Sequence, residues 1–204
     1  MLTPWRLWQL ILRDSLASSK RMEALVHKGV GDMTFEQMKK PFACVAMDLK
    51  TGEAIVFREG PLAPAVRASM TLPGIFAPVE YRHRYLVDGG VVDYIPVDVA
   101  KRLGAEWVLA SVTEGDFTYT NPTNVLLALE QVIDIRGAIL SRQQRREADA
   151  LIEPEVGDVS FYATERIPEV MARGMAGGAK GLPGAKDSLI LYSMPRLWRR
   201  WAGR

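Results

Sequence analysis

The residues with the clearest chemical potential are Asp88, Gly89 and Gly90, which follow the apolar residues 85–87. A carboxylate can accept a proton from a reacting group or bond nearby backbone N–H groups, and this motif alone does not distinguish the two roles. The two glycines would let the backbone turn tightly without side chains that block a pocket. Asp-Gly is also common in ordinary tight turns, so the same residues have a purely structural interpretation.

Two serines are candidates for a nucleophile within this chain. Ser69 lies at the end of a predicted short helix, and Ser111 ends a predicted buried strand. Serines at such positions more often hydrogen bond to the local backbone than attack a substrate, because a hydroxyl needs an adjacent base to become nucleophilic. Neither serine is therefore a strong candidate.

Histidine and cysteine contents do not indicate a metal site. The two histidines, His27 and His83, are far apart in the sequence, and no Cys-His or His-x-x-x-His spacing typical of zinc ligands occurs. Cys44 lies in the apolar run 42–47, where we expect a buried, inert thiol. A single cysteine also permits no disulfide within the chain, which fits a reducing cytoplasm.

Length and composition suit one soluble globular domain or a large piece of one. The chain has 204 residues, of which 48% are hydrophobic, and a net charge of +2. That charge is too close to neutral to indicate nucleic-acid binding. The apolar stretch near the N-terminus is too short to span a bilayer and lacks a signal-peptide cleavage pattern.

The spacing of apolar and turn residues predicts strands alternating with helices. Predicted strands cover 42–47, 54–57, 79–81, 85–87, 107–112 and 151–154. Predicted helices cover 4 to the mid-20s, 34–40, 62–70, 97–103, 123–148 and 165–176. Gly137 argues against an unbroken helix over 123–148, and the glycine-rich residues 177–184 are predicted to be flexible. This order favours an α/β domain with a mostly parallel sheet.

Three segments, 41–53, 65–79 and 85–97, resemble in their order and spacing the patatin-like phospholipase domain, particularly its bacterial members. The resemblance is clearest over residues 34–112. It implies a three-layer α/β/α sandwich of patatin type with a mostly parallel sheet. On this interpretation residues 1–194 form a partial domain, incomplete at its N-terminal side, and residues 195–204 form a basic tail.

The resemblance also implies a mechanism. Members of this family hydrolyse acyl esters of lipids through a Ser-Asp dyad, without a histidine, a metal or an organic cofactor. Their serine lies in a Gly-x-Ser-x-Gly elbow, and a glycine-rich loop supplies the oxyanion hole. Their aspartate lies in an Asp-Gly-Gly or Asp-Gly-Ala motif, which here falls on Asp88, Gly89 and Gly90. Asp88 would be the general base that accepts the serine proton.

The sequence departs from the family pattern because it contains no Gly-x-Ser-x-Gly, so this chain carries no family nucleophile. Residues 177–181 have the glycine spacing, but Ala179 stands where the serine would be. Three hypotheses remain. The chain is a fragment, or has a misplaced start, of an ordinary hydrolase and is inactive alone; it is a non-catalytic lipid- or protein-binding relative; or it is a different α/β protein that shares turn patterns. An upstream in-frame Gly-x-Ser-x-Gly would favour the first.

The C-terminal tail combines cations with tryptophan: Arg196, Trp198, Arg199, Arg200 and Trp201. This composition is typical of segments that contact an anionic membrane interface, although a frayed tail or a helix docked on the domain would have the same sequence. We therefore expect a cytoplasmic protein, peripheral at the membrane, whose partner is a lipid or another acyl ester.

Overall fold

The computed structural model describes residues 20–114, 122–159 and 163–202. Their contacts form two compact units, the first from residues 1–94 and 123–137 and the second from residues 95–122 and 138–204. The predicted N-terminal helix falls largely on residues 1–19, which lie outside the described residues. The described chain begins with α1, Lys20–Val30, which ends before Gly31, a residue with a φ of 63°.

The first unit contains a four-stranded sheet. Its strands are β1, Cys44–Asp48; β2, Ala54–Phe57; β3, Val79–Tyr81; and β4, Arg84–Asp88. They lie in the order β2-β1-β4-β3, and every neighbouring pair is antiparallel. Helix α2, Leu62–Ser69, packs against β1 and β4.

The prediction of a mostly parallel sheet is wrong for this sheet, and the connections explain why. A parallel pair needs a long crossover, whereas a short turn forces the next strand to run back. Residues 49–53 join β1 to β2 around Gly52, whose φ is 71°. Arg82 and His83 alone join β3 to β4, with φ values of 47° and 64°. The α/β character of the prediction is confirmed.

The core of the first unit joins the sheet to α2. Ala65 and Ala68 lie three residues apart on one face of α2, where their small side chains allow close approach to the strands. The buried cluster contains Phe35, Ala46, Phe57, Leu62, Ala65, Ala68, Val79 and Leu86. Phe42, predicted to start a buried strand, precedes β1 and is 41% exposed.

The second unit contains α3, Val97–Arg102; β5, Leu109–Ser111; and β6, Ala150–Ile152. Strands β5 and β6 are parallel, and Val112 extends the pairing by donating to the carbonyl of Ile152 at 2.9 Å. Helix α4, Val125–Glu147, contributes residues to both units and is unbroken at Gly137.

The second unit ends in the long helix α5, Ile167–Ala202. The prediction that residues 177–184 are flexible is wrong, because they lie inside this helix. Two of the glycines there lie closely against other residues of the second unit. A Cβ at Gly177 would lie 2.9 Å from Cα of Pro154, and one at Gly181 would lie 3.0 Å from Cγ1 of Ile152. No helix in the described part of the chain is long and apolar enough to cross a membrane.

Candidate active site

Asp88 is the last residue of β4, and its backbone is fixed from two sides. It lies opposite Ala46 of β1 in the antiparallel pairing. Its N–H donates a 2.8 Å hydrogen bond to the carbonyl of Thr71, a completely buried residue just beyond α2. The sheet and the segment after α2 therefore jointly set the position of Asp88.

The carboxylate of Asp88 caps the single turn of 3-10 helix Gly89–Val91. Its Oδ1 accepts a 2.7 Å hydrogen bond from the backbone N–H of Gly90. Burial raises the pKa of Asp88 above its ordinary value, and the Gly90 hydrogen bond opposes part of that rise. Asp88 is thus a half-buried carboxyl with increased proton affinity, the property that a general base needs at neutral pH.

The two glycines of the motif are required by close packing. A Cβ at Gly89 would lie 2.3 Å from the carbonyl oxygen of Val45, a distance that no side chain tolerates. A Cβ at Gly90 would lie 3.1 Å from Oδ1 of Asp88. Neither residue has the positive φ that usually selects glycine in turns. Side chains at these positions would displace β1 or crowd the carboxylate.

An aromatic residue that the sequence did not single out adjoins this turn. Cδ2 of Tyr94 lies 3.7 Å from the Cβ position of Gly90 and 2.6 Å from the Cβ position of Gly137 on α4. Gly137, noted in the sequence only as a helix-breaking residue, is thus the point where α4 reaches the tyrosine ring. No sequence signal indicated this contact, because 43 positions separate the two residues.

The other residues considered from the sequence lie in different settings. Ser69 is the half-buried last residue of α2, and Ser111 is an exposed residue of β5 in the second unit. His27 is exposed and pairs with Asp32 at 2.9 Å, while His83 is exposed in the β3–β4 turn. Hydrogen bonds of Asp88 go to Thr71 and Gly90, so the described structure gives no support to either serine as its partner.

A serine that the sequence did not suggest does contact a carboxylate. In the second unit the hydroxyl of Ser141 donates to Glu114 and also to the carbonyl of Ala138. Arg145 bonds the other oxygen of Glu114 at 2.8 Å and pairs with Glu153. Ser141 has no solvent exposure, so this cluster anchors the C-terminal part of α4 in the second unit and does not present a nucleophile to a substrate.

A second charged cluster stabilises the sheet of the first unit. Asp48 is 3% exposed and accepts from the N–H of Lys50 at 2.9 Å and from Arg84 at 3.1 Å. Arg84 also bonds Glu53 at 2.8 Å. The buried carboxylate is therefore satisfied by its partners, as a structural ion pair should be.

An open cavity of about 700 Å³ lies in the second unit beside α5, near Gly177 and Lys180. Arg173, which lines it, bonds Asp158 at 2.5 Å and also pairs with Glu169. The pKa values of Asp158 and Glu169 are both lowered. The largest cause is a hydrogen bond from Arg173 for Asp158 and a hydrogen bond from Arg166 for Glu169. These mutual pairs occupy the charges, and no ligand specificity follows from them.

Within residues 20–114, 122–159 and 163–202, no group of three or more His, Cys, Asp or Glu side chains could hold a metal ion. Of the tail residues, Trp198 is 68% exposed on α5. The side chains of Arg196, Arg199, Arg200 and Trp201 lie outside the described part. The helix continues through Pro195, so the tail does not begin as a separate segment there.

The region around Asp88 matches a family model and several known proteins in sequence. The family model for patatin-like phospholipases matches residues 2–101. An uncharacterized NTE family protein of Mycobacterium tuberculosis is 37% identical over 100 residues, which cover 49% of this chain and 28% of the relative. A second such protein of that organism is 35% identical over 86 residues, covering 42% of this chain and 15% of the relative.

A patatin-like phospholipase domain-containing protein of Caenorhabditis elegans is 41% identical over 71 residues, 34% of this chain and 5% of the relative. This chain thus spans less than a third of the length of each of these curated relatives. The matched family region includes β1 to β4, the Asp88 turn and Tyr94.

Proposed function

We propose that this chain, whose residues 2–101 belong to the patatin-like phospholipase family, supplies the catalytic aspartate of a lipid acyl hydrolase. The observation that carries the proposal is the setting of Asp88. Its half-buried carboxylate has a raised pKa and is held by one backbone N–H at a turn whose glycines exclude side chains.

In the proposed reaction Asp88 accepts the proton of a serine hydroxyl as the serine oxygen attacks the ester carbonyl. Collapse of the tetrahedral intermediate breaks the ester bond, and protonated Asp88 returns the proton to the departing alcohol. Asp88 then takes a proton from the water that attacks the acyl-serine, and it returns this proton to the departing serine oxygen as the fatty acid is released. The serine would come from a Gly-x-Ser-x-Gly segment, which this sequence does not contain.

We propose further that residues 1–194 form part of a patatin-type α/β/α domain that the serine segment completes. The test begins with the reading frame upstream of the Met1 codon. If it encodes Gly-x-Ser-x-Gly, the extended protein should hydrolyse p-nitrophenyl butyrate or phospholipid, and Asp88→Asn should lower the rate by about a thousandfold or more. Asp32→Asn, which changes a fully exposed carboxylate, is the matched control.

An extended protein that keeps full activity with Asp88→Asn would remove Asp88 from the mechanism. A frame without the serine motif would overturn the hydrolase proposal for this gene. Residues 1–204 should show no ester turnover by themselves. Turnover by this chain that Asp88→Ala abolished would instead place the nucleophile among its own serines.

The apolar surface of α5 favours a second role, binding to a lipid surface, with or without catalysis. Ile167, Met171, Met175, Leu182 and Leu189 are each at least 42% exposed. Their spacings of four, four, seven and seven residues keep them on one side of a helix. We define these five residues as the α5 apolar stripe. Exposed apolar stripes of this length mark interaction surfaces.

Charge favours an anionic membrane as the partner of the stripe. Helix α5 has six basic and two acidic residues, and exposed Trp198 lies near its basic end. Segments that combine basic residues with tryptophan contact anionic bilayer interfaces. We propose that the protein works in the cytoplasm, peripheral at a membrane, through the α5 apolar stripe, with positive charge contributed by the tail residues Arg196, Arg199 and Arg200.

Co-sedimentation with vesicles tests this role. Vesicles with 30% phosphatidylglycerol should retain the protein, and pure phosphatidylcholine vesicles should retain much less. Met171→Ser with Met175→Ser should weaken retention about tenfold or more, whereas Leu25→Ser, at an equally exposed residue of the first unit, should not. Equal retention of all proteins, or a stable dimer formed through the stripe, would overturn the membrane assignment.

A further inference from the structure

The carboxylate of Asp88 depends on one short turn, and the structure shows what supports that turn. Oδ1 of Asp88 accepts its 2.7 Å hydrogen bond from Gly90. On its inner side the turn lies against β1, where the Cβ position of Gly89 is 2.3 Å from the carbonyl oxygen of Val45. The strand therefore limits movement of Gly89 but does not cover Gly90.

Gly90 is covered by the ring of Tyr94. The ring carbon Cδ2 lies 3.7 Å from the Cβ position of Gly90, which is ordinary van der Waals distance. The same carbon lies 2.6 Å from the Cβ position of Gly137, and Cε2 lies 2.8 Å from it. One edge of the ring thus faces both glycines, and only a residue without a side chain on α4 leaves room for it.

We propose that Tyr94 is a positioning residue for Asp88, and that Gly137 is the position on α4 that seats its ring. The ring, held by α4, keeps the Gly90 turn in the conformation that directs its N–H at the Asp88 carboxylate. This inference rests on the proposed function only in the statement that the positioning of Asp88 serves catalysis. The contacts themselves belong to the first unit and can be tested in this chain.

The first measurement is the rate of hydrogen exchange at the Gly90 amide. Gly137→Ala would drive a methyl group into the ring and displace it, so the hydrogen bond from Gly90 to Asp88 should open. Hydrogen exchange of that amide should become faster by on the order of tenfold, the equivalent of one hydrogen bond. Gly178→Ala is the matched control, since Gly178 lies inside α5 with no atom within 4 Å of its Cβ position.

The second readout is the titration of the Asp88 carboxyl carbon by carbon-13 NMR. Burial raises the pKa of Asp88 and the Gly90 hydrogen bond lowers it, so displacement of the ring and opening of the turn should change that pKa. Gly137→Ala replaces none of the other charged side chains on the elements around this turn. These are Asp48, Arg67, Glu80, Arg84, Asp93, Glu130 and Asp134.

Tyr94 substitutions keep the proposal testable if Gly137→Ala fails to fold. Tyr94→Leu removes the ring without a clash and should change the Asp88 pKa and raise the Gly90 exchange rate. Tyr94→Phe keeps the ring and should leave both unchanged. The proposal fails if Tyr94→Leu changes neither quantity, or if Tyr94→Phe changes them as much as Tyr94→Leu does.

These outcomes are separable from those of the proposed function. A pKa that moves with Gly137→Ala or Tyr94→Leu supports the positioning role whether or not the chain belongs to an active hydrolase. In an active extended protein, Tyr94→Leu should also shift the acidic limb of the kcat/KM profile in the direction of the Asp88 pKa. An Asp88→Asn variant that stays active would overturn the catalytic role alone.

Discussion

Gly89 lies directly against Val45, so that a Cβ carbon at Gly89 would be 2.3 Å from the Val45 carbonyl oxygen. Val45 precedes Ala46, the residue opposite Asp88 in the sheet. The contact therefore seats the turn after β4 on the backbone of β1. It connects the position of the candidate base to the core of the first unit.

The first prediction concerns this contact. Gly89→Ala should lower the free energy of unfolding of the first unit by about 2–3 kcal/mol, because the backbone of β1 must move to admit the methyl group. Gly29→Ala is the control, since Gly29 lies in α1 with no atom within 4 Å of its Cβ position. That change should be neutral or stabilising by up to about 1 kcal/mol. Urea denaturation of both variants measures the difference, and equal stabilities would contradict the packing argument.

The pH dependence of stability should reveal Asp88. Burial raises its pKa in the native state, so the native state holds the proton more tightly than the unfolded chain does. The contribution of Asp88 is complete below the unfolded pKa and is lost as the pH rises through the native pKa. Asp88→Asn should therefore melt at a higher temperature than the wild type near neutral pH, with the gap closing at about pH 3. A gap that is the same at both pH values would show that the carboxyl is not perturbed.

The β3–β4 turn stores backbone strain. Arg82 and His83 have φ values of 47° and 64°, a region that favours glycine and asparagine and suits a two-residue hairpin. Replacing the pair by Asn-Gly should raise the free energy of unfolding by about 1 kcal/mol. The reversed pair, Gly-Asn, serves as a comparison. A destabilised Asn-Gly variant would mean that contacts such as Arg82 over the Tyr81 ring, 5.2 Å from its centroid, outweigh the strain.

Cys44 should be unreactive in the folded protein. Burial raises the pKa of its thiol to about 12, and only the thiolate reacts with alkylating reagents. At pH 8 the rate of iodoacetamide labelling should be about a thousandfold lower than in 6 M urea, because the raised pKa leaves far less thiolate in the folded chain. Mass spectrometry after timed quenching gives both rates. Rapid labelling of the native chain would show that β1 opens readily.

Local features of this protein were determined by the sequence itself. The Lys50–Glu53 turn and the apolar residues around it predicted β2 at the bounds observed, 54–57, because a turn glycine and a short apolar run act over short range. The Asp88-Gly89-Gly90 motif, with its neighbouring segments, indicated the family that residues 2–101 match. It also identified Asp88 as the candidate base, a role that remains a prediction.

Tertiary structure decided the features that depend on distant residues. Strand direction was one, since apolar runs such as 42–47 do not specify which strand pairs with which, and β1 pairs antiparallel with both neighbours. The structure of residues 177–184 was another such feature. Their glycine-rich composition predicts flexibility, but they lie in a helix in which contacts with β6 and Pro154 require small residues. Tyr94 and Gly137 meet only because α4 returns to the turn after β4. Burial of Asp88, and with it the rise in its pKa, also follows from tertiary packing, because desolvation depends on what surrounds a carboxyl in space.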